Sequence, residues 1–125
     1  HRISTSEIES IALSIPFIKE ACVVAKKDYI LGEKPILFIT LSENKIKNFE
    51  EITKNIQMLI KSKLSEYHQP EEVFVFQNLP KTRSGKIMRR ILRKIAEKDT
   101  DNMGDISTLA DPSVVENLIL GSSQV

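Results

Sequence analysis

The stretch Pro35–Leu41 reads PILFITL, and it decides how this chain can fold. Apolar residues fill nearly every position rather than every second one, which is typical of a strand buried on both faces. A shorter apolar run, Glu20–Ala25 (EACVVA), precedes it across a polar turn that contains Gly32. We predict that the two runs pair as a hairpin and that helices cover the resulting sheet.

Two helical patterns flank this hairpin. Ser4 and Glu7 have the spacing of a capping box, and apolar residues at helical spacing follow them until Pro16 ends the run. Asn48 and Glu51 repeat the same spacing after the second strand. The sequence therefore predicts one helix before the hairpin and one after it.

Three more elements complete the order α-β-β-α-β-α with a C-terminal tail. Glu72–Gln77 (EVFVFQ) predicts a third strand, Ile87–Lys98 a third helix, and Asp111–Leu120 a short helix in the tail. The predicted fold class is α+β, a small domain with a three-stranded, mainly antiparallel sheet packed by helices. Residues 1–98 are expected to form this domain, and residues 99–125 a C-terminal extension with a short helix.

The composition excludes several classes of protein. At 125 residues, with 41% hydrophobic and 28% charged residues, the chain has the size and composition of one soluble globular domain. It has no apolar run long enough for a membrane helix and no signal-peptide pattern. Cys22 is the only cysteine, which excludes an internal disulfide and fits a reducing, cytoplasmic setting. His1 and His68 have no metal-ligand spacing, so no metal site is expected. Because the chain begins at His1, we expect it to be the C-terminal piece of a longer protein.

The charges are distributed unevenly. Residues 1–80 carry a net charge of −1, residues 81–98 carry +7, and residues 99–125 carry −5, although the whole chain carries only +1. Such a pattern indicates an anionic partner or pairing within the fold. The predicted third helix places Arg89, Arg90, Arg93 and Lys94 on its outward side. That face can be a simple solvated surface or a docking surface for an acidic or phosphate-bearing body, and the acidic tail can fold back over part of it. A nucleic-acid reader is disfavoured because aromatic residues and a known module motif are missing.

Lys86 follows Ser84 and Gly85 in the segment PKTRSGK. The segment is not a P-loop, because Pro80 stands where the first glycine is required and Ile87 where a Ser or Thr should follow the lysine. We expect an irregular loop without apolar anchors, in which Gly85 permits otherwise costly backbone angles. At its tip, Lys86 is either a solvated surface lysine or a mobile charge suited to a phosphate in another domain's pocket.

Three segments together carry a resemblance to a known family. HRISTSEIES at the start, LPKTRSGKIMRRILRKI in the middle and GDISTLADPSVVENLI near the end resemble the C-terminal domain of AMP-forming acetyl-CoA synthetases, in the acyl-adenylate-forming superfamily. The resemblance implies a two-step ligase in which acetate and ATP form acetyl-adenylate and pyrophosphate, and CoA then displaces AMP. It implies that residues 1–98 form a mobile lid that rotates between the steps.

The resemblance also implies roles for single residues. Lys86 matches the catalytic lysine of adenylation and the site of reversible acetylation, and Ser84 and Gly85 support its loop. Arg2 matches an arginine that binds the nucleotide phosphate. Lys61 stands where the family has an arginine that binds CoA, and it keeps the charge without the bidentate geometry.

The implied partners follow from the same resemblance. They are the N-terminal adenylation domain of the same enzyme, the substrates acetate, ATP and CoA, Mg²⁺ held with ATP on that other domain, and a protein acetyltransferase and deacetylase. Neither nucleic acid nor a membrane is expected as a partner, and the chain alone is expected to be inactive. Two alternatives stay open: a propionyl- or other short-chain acyl-CoA synthetase domain, and a basic binding module without catalysis.

Overall fold

The computed structural model describes residues 4–30, 32–42, 48–101, 103–104, 106–107 and 109–115. Within these residues the predicted order of helices and strands is confirmed. The elements are α1 (Thr5–Leu13), β1 (Ile18–Asp28), β2 (Gly32–Leu41), α2 (Phe49–Lys63), a 3-10 turn (Glu66–His68), β3 (Glu72–Val75) and α3 (Arg89–Ala96). No helix in the described part of the chain is both long and apolar enough to cross a membrane.

The sheet has three strands in the order β1-β2-β3, so the apolar strand β2 lies at its centre. β1 and β2 form the predicted hairpin and pair antiparallel from Ile18 opposite Leu41 to Asp28 opposite Gly32. β3 pairs parallel to β2, with Phe38 opposite Phe74. The sheet is therefore mixed, because α2 returns the chain between β2 and β3 to the same end of the sheet. The longer ladder is the antiparallel one.

Each face of the sheet carries its own apolar cluster, which explains why β2 is apolar on both sides. One cluster lies under α1 and α2. Its buried members are Ile8, Ala12, Ile18, Ala21, Val23, Leu37, Ile39, Ile56 and Ile60. The other lies under α3 and the chain that follows it. Its buried members are Cys22, Val24, Ile36, Phe38, Phe74, Phe76, Leu79, Ile91, Leu92, Ile95, Ala96, Leu109 and Val115. The fold is thus a sheet between two helical layers.

The helix ends confirm one predicted cap and correct another. The Asn48 side-chain oxygen accepts a hydrogen bond from the Glu51 amide at 3.1 Å, as predicted for the start of α2. Ser4 precedes α1 as predicted, but its side chain makes no capping hydrogen bond. The capping box predicted for α1 from Ser4 and Glu7 is therefore wrong, although the helix begins where expected.

The C-terminal extension packs onto the same domain. The Ala110 amide donates to the Lys81 carbonyl at 2.9 Å, and Leu109 and Val115 are buried in the cluster under α3. Residues 113–115 are helical, in agreement with the start of the predicted final helix. The remainder of that prediction lies outside the described residues.

Candidate functional site

The backbone around Lys86 forms a short hairpin, residues 80–88, which we call the Lys86 hairpin. The Met88 amide donates to the Pro80 carbonyl at 2.9 Å, and the Thr82 amide donates to the Lys86 carbonyl at 2.9 Å. These two bonds flank a single antiparallel bridge between Lys81 and Ile87. The predicted loop is therefore ordered by hydrogen bonds rather than irregular throughout. The third helix begins at Arg89, two residues later than predicted, because Ile87 and Met88 belong to the second arm of this hairpin.

Apolar side chains fix the hairpin to the domain. Leu79, directly before it, is buried in the cluster under α3, and Ile87 and Met88 pack against the same cluster from its second arm. Lys81 and Ile87 face each other across the hairpin as a bridge pair. The buried Leu79 contradicts the expectation of a loop without apolar anchors, whereas Ile87 and Met88 come from the segment predicted as the third helix.

A tight turn closes the hairpin, and Thr82 makes most of its hydrogen bonds. The Gly85 amide donates to the Thr82 carbonyl at 2.9 Å. The Thr82 hydroxyl accepts from the Lys86 amide at 3.2 Å and lies 2.9 Å from the Ser84 hydroxyl. Gly85 has φ +90°, which confirms that its backbone needs a conformation that other residues rarely adopt. Ser84 and Gly85 therefore lie in the turn that precedes Lys86.

Lys86 is exposed, and among the described residues its ammonium group has no hydrogen bond or ion pair. Arg83, in the same turn, is exposed as well. The hairpin thus presents a lysine on a backbone held by hydrogen bonds, with the charged end of the side chain available to an external group. A compact cation of this kind suits a carboxylate or a phosphate.

The base of the Lys86 hairpin is tied to the sheet by a charged contact. The Lys81 ammonium forms an ion pair with the Glu20 carboxylate on β1. The other oxygen of Glu20 accepts a hydrogen bond from the Thr40 hydroxyl on β2 at 3.0 Å. Thr40 is only 1% exposed and the Glu20 side chain 18%, whereas the Lys81 side chain is 36% exposed, so the network is buried at its sheet end and open to water at Lys81.

Arg89, the first residue of α3, spans the open edge of β1. It donates to the Val23 carbonyl at 2.8 Å and pairs with Glu9 of α1 at 2.9 Å. The same Glu9 oxygen accepts from the Val23 amide at 2.7 Å. Arg89 and Glu9 together therefore satisfy both outward-facing backbone groups of Val23 and join α1 to α3. The sequence predicted an outward-facing Arg89, whereas its guanidinium is bonded to Val23 and Glu9 in the structure.

Other cations of α3 also have partners within the chain. Arg90 donates to the Met103 carbonyl, and Lys94 pairs with Asp99 at 3.0 Å. Part of the acidic C-terminal extension therefore folds back against α3, as one of the interpretations of the charge pattern proposed. The Asp99 carboxylate neutralises Lys94, whereas the bond to a neutral carbonyl leaves the charge of Arg90 in place.

Cys22 lies on β1 beneath α3 and is fully buried. Burial raises the pKa of its thiol from 9.0 to about 11, although the nearby Arg89 charge opposes the shift. The thiol is therefore a small apolar group in the core and not a nucleophile at neutral pH.

The remaining predicted site residues lie apart from the Lys86 hairpin or outside the described residues. Lys61 is exposed in the last turn of α2. Since α2 packs on the opposite face of the sheet from the hairpin, the structure does not bring Lys61 and Lys86 together. Arg2 lies outside the described residues. In the described part of the chain, no group of three His, Cys, Asp or Glu side chains could hold a metal ion.

Sequence reasoning missed Thr82, Glu20 and Lys81. A signal for Thr82 exists, since a hydroxyl residue three positions before a glycine often closes a turn through its own side chain. No local signal exists for the contact between Glu20 and Lys81, because the two residues lie on elements that meet only in the folded chain.

Comparison with known proteins connects this geometry to a family. The family model described as AMP-binding enzyme C-terminal domain matches residues 7–86, from α1 to Lys86 itself. Acetyl-coenzyme A synthetase of Penicillium chrysogenum is 47% identical over 119 residues, which is 95% of this chain and 18% of that protein. Acetyl-coenzyme A synthetase of Bartonella quintana is 50% identical over the same share of each chain.

A solved structure gives the same picture at the level of the fold. The crystal structure of a Brucella canis acyl-CoA synthetase superposes with a TM-score of 0.71 and 32% identity, covering 82% of this chain and 18% of that one. The chain thus spans less than a fifth of the length of the relatives it matches.

Proposed function

The chain belongs to the family of AMP-binding enzyme C-terminal domains, and from this premise we propose that it is the C-terminal domain of an AMP-forming acetyl-CoA synthetase. The proposal rests on the similarity to acetyl-CoA synthetases along 95% of the chain. The observation that carries its chemistry is the Lys86 hairpin, which presents an exposed ammonium group without a partner among the described residues.

The proposed reaction has two steps. In the first, an oxygen of the acetate carboxylate attacks the α-phosphorus of ATP, and the bond to the bridging oxygen of pyrophosphate breaks. In the second, the CoA sulfur attacks the acetyl carbon, and AMP leaves with the oxygen that came from acetate. Both steps take place where this domain meets a larger domain outside the chain.

In the first step Lys86 supplies positive charge. Two anions, the acetate carboxylate and the α-phosphate, must approach each other, and negative charge builds up on the phosphate oxygens as the new bond forms. An ammonium group held between them offsets this repulsion and stabilises the transition state. Because Lys86 has no partner among the described residues, no ion pair within them must break before it enters the site.

In the second step we assign a different surface of the domain to CoA. Lys61 lies on the α2 side of the sheet, opposite the Lys86 hairpin, and its ammonium suits a CoA phosphate. A rotation of the domain between the steps would present first the hairpin and then the α2 side to one active site. Arg2 is proposed to contact the nucleotide phosphate during these steps.

Three further elements complete the proposal. Mg²⁺ accompanies ATP, but the described residues offer no group of metal ligands, so we assign it to the larger domain and assign no step to it here. Acetylation of Lys86 would remove its charge and stop adenylation, which makes this lysine a candidate regulatory site. We place the activity in the cytoplasm, where the free thiol of Cys22 stays reduced.

Isotope transfer tests the proposed reaction. The full-length protein is incubated with ATP, CoA and acetate labelled with ¹⁸O in the carboxylate, and the nucleotide product is analysed by mass spectrometry. We expect AMP carrying one ¹⁸O atom, together with acetyl-CoA and unlabelled pyrophosphate. Formation of ADP with label in inorganic phosphate would contradict the proposal. Propionate in place of acetate measures the acyl preference in the same assay.

A further inference from the structure

We propose that Glu20 is a positioning residue for Lys86, acting through its ion pair with Lys81 at the base of the Lys86 hairpin. This inference rests on the proposed function, because it concerns the adenylation step assigned to Lys86. It adds a residue on β1 that is distant in sequence from the PKTRSGK segment.

Glu20 is itself held in place. It lies on the edge strand β1, opposite Thr40 of the central strand, and the Thr40 hydroxyl donates to one of its oxygens at 3.0 Å. That leaves the other oxygen for the Lys81 ammonium. Because Thr40 is buried and belongs to the central strand, the carboxylate has a fixed direction relative to the sheet.

Lys81 transmits this fixed position to the hairpin. It is bridged to Ile87, the residue after Lys86, and its neighbour Thr82 bonds to both the amide and the carbonyl of Lys86. Among the described residues, the pair of Lys81 and Glu20 is the only ion pair that joins the hairpin to the sheet. Apolar contacts of Leu79 and Ile87 hold the hairpin against the core, and the Ala110 amide, which donates to the Lys81 carbonyl, holds its first arm against the C-terminal extension. The ion pair adds the contact that fixes the Lys81 side chain relative to the sheet.

Glu20 has a second effect on the charge of the hairpin. It neutralises Lys81, which is only partly exposed, and leaves the Lys86 ammonium as the lysine charge offered at the tip. Without Glu20, Lys81 would become a further unpaired cation beside Lys86 and the exposed Arg83, and it would compete with Lys86 for the same anions. Loss of the pair therefore both loosens the hairpin and misdirects an anion.

The test uses the full-length protein with Glu20→Gln, which keeps the shape and the acceptor for Thr40 but removes the charge. Asp99→Asn is the matched control, because it makes the same chemical change in another lysine pair, that of Lys94, away from the hairpin. Acetate-dependent exchange between ATP and pyrophosphate reports adenylation. Conversion of supplied acetyl-adenylate and CoA to acetyl-CoA reports the second step, and the melting temperature reports stability.

We expect Glu20→Gln to lower the kcat of the exchange about tenfold, with KM for ATP and acetate changed less than about twofold, because misplacement of a reacting group costs rate rather than binding. The second half-reaction and Asp99→Asn stay near the wild-type values. The charge exchange Glu20→Lys with Lys81→Glu restores most of the exchange rate, since it rebuilds the pair in reverse. If Glu20→Gln fails to fold, Lys81→Gln tests the same pair.

Other outcomes overturn the inference. If Glu20→Gln and Asp99→Asn have the same exchange rate, Glu20 has no positioning role. The same conclusion follows if Glu20→Gln lowers both half-reactions equally and lowers the melting temperature as well. Lys86→Ala in the same assays distinguishes a failure of the proposed role of Lys86 from a failure of the proposed role of Glu20. If Lys86→Ala keeps the full exchange rate, the proposed role of Lys86 is wrong. If Lys86→Ala loses exchange but Glu20→Gln keeps it, only the positioning role of Glu20 is wrong.

Discussion

Replacement of Glu9 by Ala should destabilise the fold far more than its place on a helix surface suggests. Glu9 accepts from the Val23 amide at 2.7 Å and pairs with Arg89 at 2.9 Å, so its loss removes a charged hydrogen bond at the sheet edge and an ion pair. A hydrogen bond to a charged group contributes about 1.5–3 kcal/mol, whereas the pair itself adds less than about 1 kcal/mol because Arg89 is 45% exposed. The expected loss in unfolding free energy is about 2–3 kcal/mol.

The measurement is urea denaturation of the chain followed by circular dichroism. For a domain of this size the expected loss moves the midpoint down by about 1–2 M urea. Glu9→Gln, which keeps an acceptor for the Val23 amide, should lose about 1 kcal/mol. Glu7→Ala is the control, because Glu7 is an exposed carboxylate on the same helix and should change stability by less than about 0.5 kcal/mol. A Glu9→Ala midpoint no lower than that of Glu7→Ala would refute the argument.

Three further predictions concern Gly85, Cys22 and Lys61. Gly85→Ala has space for its Cβ but φ +90° is unfavourable for it, so it should lose about 1–2 kcal/mol of stability in the same urea assay and reduce the adenylation half-reaction. The native Cys22 thiol should react with iodoacetamide at least about 100-fold more slowly than in the unfolded chain, given its raised pKa of about 11. Because folding raises this pKa, the neutral thiol contributes stability that is fully present below pH 9.0 and is lost as the pH rises towards about 11. In pH-dependent denaturation, Cys22→Ala should not show this loss. Lys61→Ala in the full-length protein should raise KM for CoA about tenfold and leave ATP–pyrophosphate exchange unchanged, and an unchanged KM would remove Lys61 from the CoA site.

Much of the fold follows from local patterns. The run Pro35–Leu41 is apolar on both faces because it forms the centre of the sheet, and the position of β1 follows from the shorter run before it. The apolar pattern within each segment indicates which of its residues are buried in the folded chain. They do not report direction, so the parallel pairing of β3 with β2 could not be derived from EVFVFQ.

The candidate site was predictable in part. Lys86 and Gly85 could be identified from the sequence, because glycine permits backbone angles that other residues avoid and lysine supplies a mobile positive charge. The order of the hairpin was only partly predictable: the Thr82 turn has a local signal, whereas the charged contact between Lys81 and Glu20 has none. Contacts between charged residues far apart in sequence leave no periodic signal in a single chain.

We propose above that Lys86 serves the adenylation step of a two-step ligase. The most direct measurement compares both half-reactions in the full-length protein and its Lys86→Ala variant. We predict that acetate-dependent ATP–pyrophosphate exchange falls by at least about 100-fold, as expected when a transition-state charge is removed, while supplied acetyl-adenylate and CoA still give acetyl-CoA at close to the wild-type rate. An equal loss of both half-reactions, or an exchange rate that survives the substitution, would contradict the claim.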